Sequence, residues 1–144
     1  MKGEWCYFKS YFSKGMCEDI IKELKSLPSQ EASVGTNGIE GVDHDIRKSK
    51  VSFVNPTNEN FDFLHNTIWK TAIEANKLMF NFHLTKLDYI QFAEYEASKN
   101  GEYKKHQDVF WINGDPFYHR KLTCIIQLSD PNDYEGGEFE IFDV

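Results

Sequence analysis

The sequence predicts an α+β fold, with helices in its first half and strands in its second. Three observations carry this. Apolar residues recur at helical spacing over two stretches before residue 80, the period changes to two from Lys86 onward, and no Pro/Gly/Ser-rich linker interrupts the 144 residues. A chain of that length is enough for a single domain with a hydrophobic core. Its parts are residues 1–86, helical support with the first strand or strands, and residues 87–144, a β-rich unit.

The first helix starts after Ser13, a residue type whose hydroxyl can cap exposed backbone N–H groups. Cys17, Ile20, Ile21, Leu24 and Leu27 then recur at helical spacing, and Pro28 ends the run. The polar, Gly-containing stretch from Ser29 to Asp45 reads as a loop. Ile46 to Val54 alternates and predicts a strand with Arg47, Ser49, Val51 and Phe53 on one face. A second helix spans about Asn60 to Met79, burying Phe61, Leu64, Ile68, Ala72, Ala75 and Met79. Beyond it, Leu87–Ala97 and Tyr103–Asp108 are predicted strands, with Ser98-Lys99-Asn100-Gly101 as the turn between them. Lys121–Leu128 and Glu138–Phe142 complete the series. An open edge at Phe142, so near Val144, predicts a β-structure that is incomplete within this sequence.

Composition narrows the function classes. Hydrophobic residues make up 40% and aromatics 15%, which suits a globular chain. No apolar run approaches the ~20 residues of a membrane span, and Met1-Lys2-Gly3-Glu4-Trp5 lacks the apolar core of a signal peptide. Cys6, Cys17 and Cys124 are odd in number and widely spaced, which argues against a disulfide framework and for the cytoplasm. A net charge of −7 opposes nucleic-acid binding through a basic face. A small molecule or another protein is the expected partner.

The chemistry concentrates at His106-Gln107-Asp108. On an extended segment, side chains two apart point the same way, so an imidazole nitrogen and a carboxylate oxygen stand side by side. That is two thirds of the 2-His-1-carboxylate set that holds non-haem Fe(II) with positions open for O2 and a co-substrate. Such a pair is also common on an ordinary polar strand face, so its surroundings matter. Tyr95 precedes it by eleven residues, Gly101-Glu102-Tyr103 leads into it, and Val109 to Tyr118 forms an aromatic loop behind it. Arg120-Lys121-Leu122-Thr123, Leu128 and Gly136-Gly137-Glu138 follow in order.

That order resembles the iron(II)- and 2-oxoglutarate-dependent dioxygenases, in their prolyl 4-hydroxylase-like branch. The likeness covers residues 87–144 and extends loosely to the helices and to Arg47-Lys48-Ser49, which is similar to a short Arg-x-Ser strand of that branch. It implies a double-stranded β-helix, a jelly-roll or cupin-like barrel, incomplete here and braced by the two N-terminal helices. It implies His106 and Asp108 as iron ligands, and Tyr95 as a hydrogen-bond partner of the distal carboxylate of 2-oxoglutarate. Ile125 and Gln127 would line the co-substrate pocket, although Gln127 stands where some relatives carry an aromatic residue. The implied reaction consumes O2 and 2-oxoglutarate, with ascorbate as a possible accessory, and hydroxylates a prolyl or other side chain of a protein or peptide. Succinate and CO2 are the co-products.

Other assignments compete at several positions. The family's second iron histidine and its Lys or Arg for the co-substrate are not found; His119, the one histidine after Asp108, reads as a loop residue. This points to part of a longer enzyme, the alternatives being a non-catalytic β-barrel module or a cupin-like barrel binding another metal or a sugar. Tyr95 could serve only core packing. Phe110, Trp111, Phe117 and Tyr118 form either a hydrophobic plug or a lid over substrate. Arg47 is expected to pair with an acid, the alternative being contact with substrate. His44, His65 and His83 read as surface or core histidines, and Asp130–Gly136 as a turn rather than a calcium loop. Gly136-Gly137 would permit a bulge or a close backbone approach.

Overall fold

Helix α1, Lys14–Lys25, begins where Ser13 Oγ accepts the Met16 amide at 3.3 Å and ends with Lys22 and Lys25 beside its terminal carbonyls. The computed structural model describes residues 5–36, 39–108 and 119–142. Helix α2, Asp62–Ala75, is preceded by a 3₁₀ turn over Glu59–Phe61 and runs into a π-turn over Asn76–Phe80. Phe61, Leu64, Ile68, Ala72 and Ala75 are buried as their spacing predicts, while Met79 is half-buried. Buried Asn76 closes the helix by exchanging two 2.8 Å hydrogen bonds with the backbone of Phe82, its amide imitating a peptide group. No helix among the described residues is long and apolar enough to cross a membrane.

Among the described residues the strands are β1 (Gln30–Glu31), β2 (Val34–Thr36), β3 (Ile39–Gly41), β4 (Arg47–Lys48), β5 (Lys50–Val54), β6 (Ile90–Glu94) and β7 (Glu102–Tyr103). These strands pair antiparallel: β1-β5-β6 form a three-stranded sheet, and β2-β3 and β4-β7 form two-stranded ones. The stretch from Ser29 to Asp45 is therefore not simply a loop. It contains β1 and a small β2-β3 ladder, because ladder hydrogen bonds come from the backbone and polar side chains do not prevent them.

The pairing of β4 to β7 shows something alternation alone could not. The run Arg47–Val54 faces both β6 and β7: Lys50 pairs with Glu94 and Val54 with Ile90, but Lys48 pairs with Glu102 and Arg47 with Tyr103. Residues Tyr95 to Gly101 are looped out of that partner line. The expected turn is present, with a 3₁₀ turn over Ala97–Lys99 and Asn100 left-handed at φ 49°. It joins two strands that pair with a third run, not with each other. Gly101 allows the loop to pinch shut, since a Cβ there would lie 2.9 Å from Tyr95 Cα and 2.8 Å from the Glu96 amide.

This sheet has two distinct faces. Val54 packs with Leu24, Phe61, Leu64 and Ile68 in the core, and Ile90 and Phe92 of β6 join it. Arg47, Ser49, Val51 and Phe53 share the opposite face, as their alternation predicts, and Phe53 meets Tyr89 edge-on at 5.5 Å. Ile126 and Leu128 also pack against the core. Even so, Lys121–Leu128 and Glu138–Phe142 form no ladder among the described residues, and no closed barrel is seen there. An extended segment becomes a strand only where a neighbouring edge takes its backbone groups, and none of the described edges does so.

Asp130 ties the later segment to α1. Its carboxylate meets Lys14 Nζ at 2.8 Å and accepts the Asn132 amide at 2.9 Å, within a turn closed by Asp133 N–H to Asp130 C=O at 3.0 Å. The turn reading of this stretch is thus borne out. The Lys14 ammonium, then the Asn132 groups, hold the Asp130 carboxyl down at about 2. A depressed carboxyl stabilises the fold above its ordinary pKa of 3.8, and that contribution is lost as pH falls toward about 2. In Lys14→Met, a carbon-13 titration of the Asp130 carboxyl should move its midpoint back toward the ordinary value. An unmoved midpoint would exclude Lys14 as the cause.

Candidate metal centre

His106 and Asp108 come together. His106 Nε2 lies 3.2 Å from Asp108 Oδ1, on the same side of the chain. The backbone beneath them is not the predicted strand, because β7 stops at Tyr103 and the last ladder bond runs from the Lys104 amide to Ile46 C=O at 2.9 Å. The pair converges for another reason: His106 Nδ1 is 2.7 Å from the Lys104 carbonyl, which turns the ring. A carbonyl only accepts, so Nδ1 carries a proton and Nε2 is the atom presented to the carboxylate. A bare lone pair facing a carboxylate oxygen is repulsive. A proton or a metal cation between the two makes the contact attractive.

Two donors at about 2.1 Å from one first-row metal and at right angles are about 3.0 Å apart. The 3.2 Å separation of Nε2 and Oδ1 therefore suits two adjacent ligand positions. The Lys104 carbonyl stands where the outer hydrogen-bond partner of a metal-binding histidine would stand. Both side chains are reachable, at 33% and 42% exposure. His119 is half-buried and does not join them; among the described residues no three of His, Cys, Asp and Glu gather to hold a metal.

Tyr103 forms the floor of the site. Its ring stacks on the His106 imidazole, with centroids 3.6 Å apart and planes 17° from parallel. The guanidinium of Arg47, paired with Tyr103 across β4-β7, lies 4.5 Å from the centre of the same ring. Burial pushes the Tyr103 hydroxyl up, opposed by the charge of Arg47 and reinforced by Asp108 and Tyr95. Arg47 does not pair with an acid, contrary to expectation: among the described residues its side-chain partners are Ser49 Oγ at 2.8 Å and the Tyr103 ring. An aromatic face can receive a planar guanidinium as a carboxylate does, and nothing in local sequence distinguishes the two.

Tyr95 directly follows β6 and is 46% exposed, so core packing does not account for it. Its hydroxyl has no hydrogen-bond partner among the described residues. Ile125, at 51% exposure, and Gln127 lie on the exposed side of their segment, opposite Ile126 and Leu128. Lys105 Nζ sits 4.5 Å above the Phe142 ring, bringing the later segment beside the His106 turn. The aromatic loop with Phe110, Trp111, Phe117 and Tyr118 lies outside the described residues.

Residues 90–144 match the family model of the 2OG-Fe(II) oxygenase superfamily. The matched segment starts at β6 and takes in Tyr95, the looped-out turn, His106, Asp108, Ile125 and Gln127. The family that this model describes takes Fe(II) and 2-oxoglutarate as its metal and co-substrate. No curated protein and no solved structure matches the chain. From sequence Arg47 is expected to meet an acid or substrate, and its contact with the stacked Tyr103 is not foreseen. Their cross-strand pairing, which lies outside any local motif, was the signal needed.

Proposed function

We propose that this chain carries an Fe(II)- and 2-oxoglutarate-dependent oxygenase of the prolyl 4-hydroxylase-like branch, acting on a prolyl or other side chain of a protein or peptide. The observation that carries the reading is the Nε2–Oδ1 pair of His106 and Asp108 at 3.2 Å within the segment that matches the superfamily. His106 and Asp108 would hold the metal, and the Lys104 carbonyl keeps the Nδ1 proton in place so that Nε2 stays available. With 2-oxoglutarate and O2, the bound metal supplies C–H hydroxylation coupled to release of succinate and CO2, with ascorbate as an accessory reductant. Tyr95, its hydroxyl available, is assigned to the distal carboxylate of 2-oxoglutarate. Ile125 and Gln127, on the side away from the core, are assigned to the wall of that pocket. A double-stranded β-helix is the architecture that goes with this reading, and the three free cysteines suit the cytoplasm.

Anaerobic addition of Fe(II) and then 2-oxoglutarate tests this without knowledge of the substrate. A visible charge-transfer band that requires both is the expected result. Metal binding indifferent to 2-oxoglutarate would favour a cupin-like binding barrel, and no metal binding would favour a non-catalytic module.

A further inference from the structure

Arg47 is a buried charge with an unusual set of partners. The residue is only 7% exposed, and a guanidinium so enclosed ordinarily meets a carboxylate. Among the described residues none pairs with it. Its Nε donates to Ser49 Oγ at 2.8 Å, and its carbon centre lies over the Tyr103 ring. That ring is the surface on which the His106 imidazole rests. His106 itself stands beyond the last ladder hydrogen bond, so among the described residues no strand pairing holds its backbone. Besides the Asp108 carboxylate at Nε2, two contacts bear on its ring: the Lys104 carbonyl at Nδ1, and the face of Tyr103. The first fixes which nitrogen is presented. The second fixes the plane.

The geometry points to Arg47 as a positioning residue of the metal centre, acting through Tyr103 to hold the His106 ring in the plane that directs Nε2 at Asp108. The inference rests on the metal-binding reading of His106 and Asp108. Arg47 has the means to do this from β4. Its cross-strand register with Tyr103 places cation and ring together, and the Ser49 hydroxyl, two residues on along the same face, fixes the rotation of the guanidinium. A cation held over an aromatic face immobilises that ring. An immobilised ring in turn limits the stacked imidazole, so part of the ordering of the ligand precedes metal arrival. Because Arg47 is not in contact with His106 or Asp108 through any hydrogen bond or ion pair among the described residues, its effect depends on Tyr103 being present.

Histidine-labelled protein, with five imidazoles and His106 assigned through His106→Gln, gives a direct readout by NMR. Stacking on Tyr103 should shift the carbon-bound protons of the His106 ring upfield, and Arg47→Met should remove most of that displacement while leaving the fold intact by circular dichroism. Manganese(II) serves as the metal probe through paramagnetic broadening of the same resonances. Its affinity should fall about 10-fold or more in Arg47→Met, the range for losing a group that orients a metal-binding histidine. Tyr103→Leu should show the same losses, and the double variant should be no weaker than Tyr103→Leu alone. If Arg47→Met does not fold, Arg47→Gln, which can still donate to Ser49, carries the same expectations. Unchanged His106 shifts and manganese affinity in a folded Arg47 variant, or additive losses in the double variant, would overturn the inference. Wild-type His106 resonances untouched by manganese would instead remove the metal centre, a different failure from an intact centre indifferent to Arg47.

Discussion

On the proposed oxygenase reading, replacing either His106 or Asp108 by Ala should lower Fe(II)-dependent conversion of 2-oxoglutarate to succinate on the order of 100-fold or more. Removing a ligand must cost at least as much as removing an outer partner of one, for which 10–100-fold is usual. The fold should survive both changes. The two side chains are partly exposed and belong to no core cluster, so stability should stay within about 0.5 kcal/mol of wild type. Asp108→Asn sharpens the test by keeping the shape while removing the charge that would make Oδ1 a good ligand. Succinate formation and bound iron, measured on the same preparations, should fall together. Undiminished turnover in both Ala variants would withdraw His106 and Asp108 from the site.

Gly101→Ala should be the most damaging single methyl addition in the described β-region. A Cβ at this position meets backbone atoms of Tyr95 and Glu96 at 2.8–2.9 Å, and backbone cannot swing aside as a flexible side chain can. Forced shifts of this kind cost about 1–3 kcal/mol. The damage should reach the site as well, because the loop closed at Gly101 connects Tyr95 directly to β7 and hence to Tyr103 and His106. A lowered melting temperature and loss of the Arg47–Tyr103 cross-strand contact are the expected readings. Gly15→Ala is the control: nothing lies within 4 Å of its Cβ position, and it occupies helix α1. There Ala should stabilise by roughly 0.5–1 kcal/mol. Wild-type melting in Gly101→Ala would mean that the pinch is not required.

The helices were legible because their signal is local. Ser13 capped α1 as expected, and the spacing of Phe61, Leu64, Ile68, Ala72 and Ala75 marked the buried stripe of α2. The shared face of Arg47, Ser49, Val51 and Phe53 was legible for the same reason. The ladder of β2 and β3 was not, since Val34–Thr36 and Ile39–Gly41 carry little apolar alternation and pair through their backbones. Nor was the partner of Arg47, which comes from β7 and not from its own neighbourhood.

His106 and Asp108 illustrate the division most clearly. That an imidazole and a carboxylate stand two residues apart, after a tyrosine and a pinching glycine, was determined by the sequence alone, because spacing is a property of neighbours. How they meet was decided only in the tertiary structure. The strand that was to align them ends at Tyr103, and their approach depends on a carbonyl at Lys104 and a ring held by Arg47. Hydrogen bonds and stacking between distant segments depend on which backbones lie side by side, and the residues at each end do not record that.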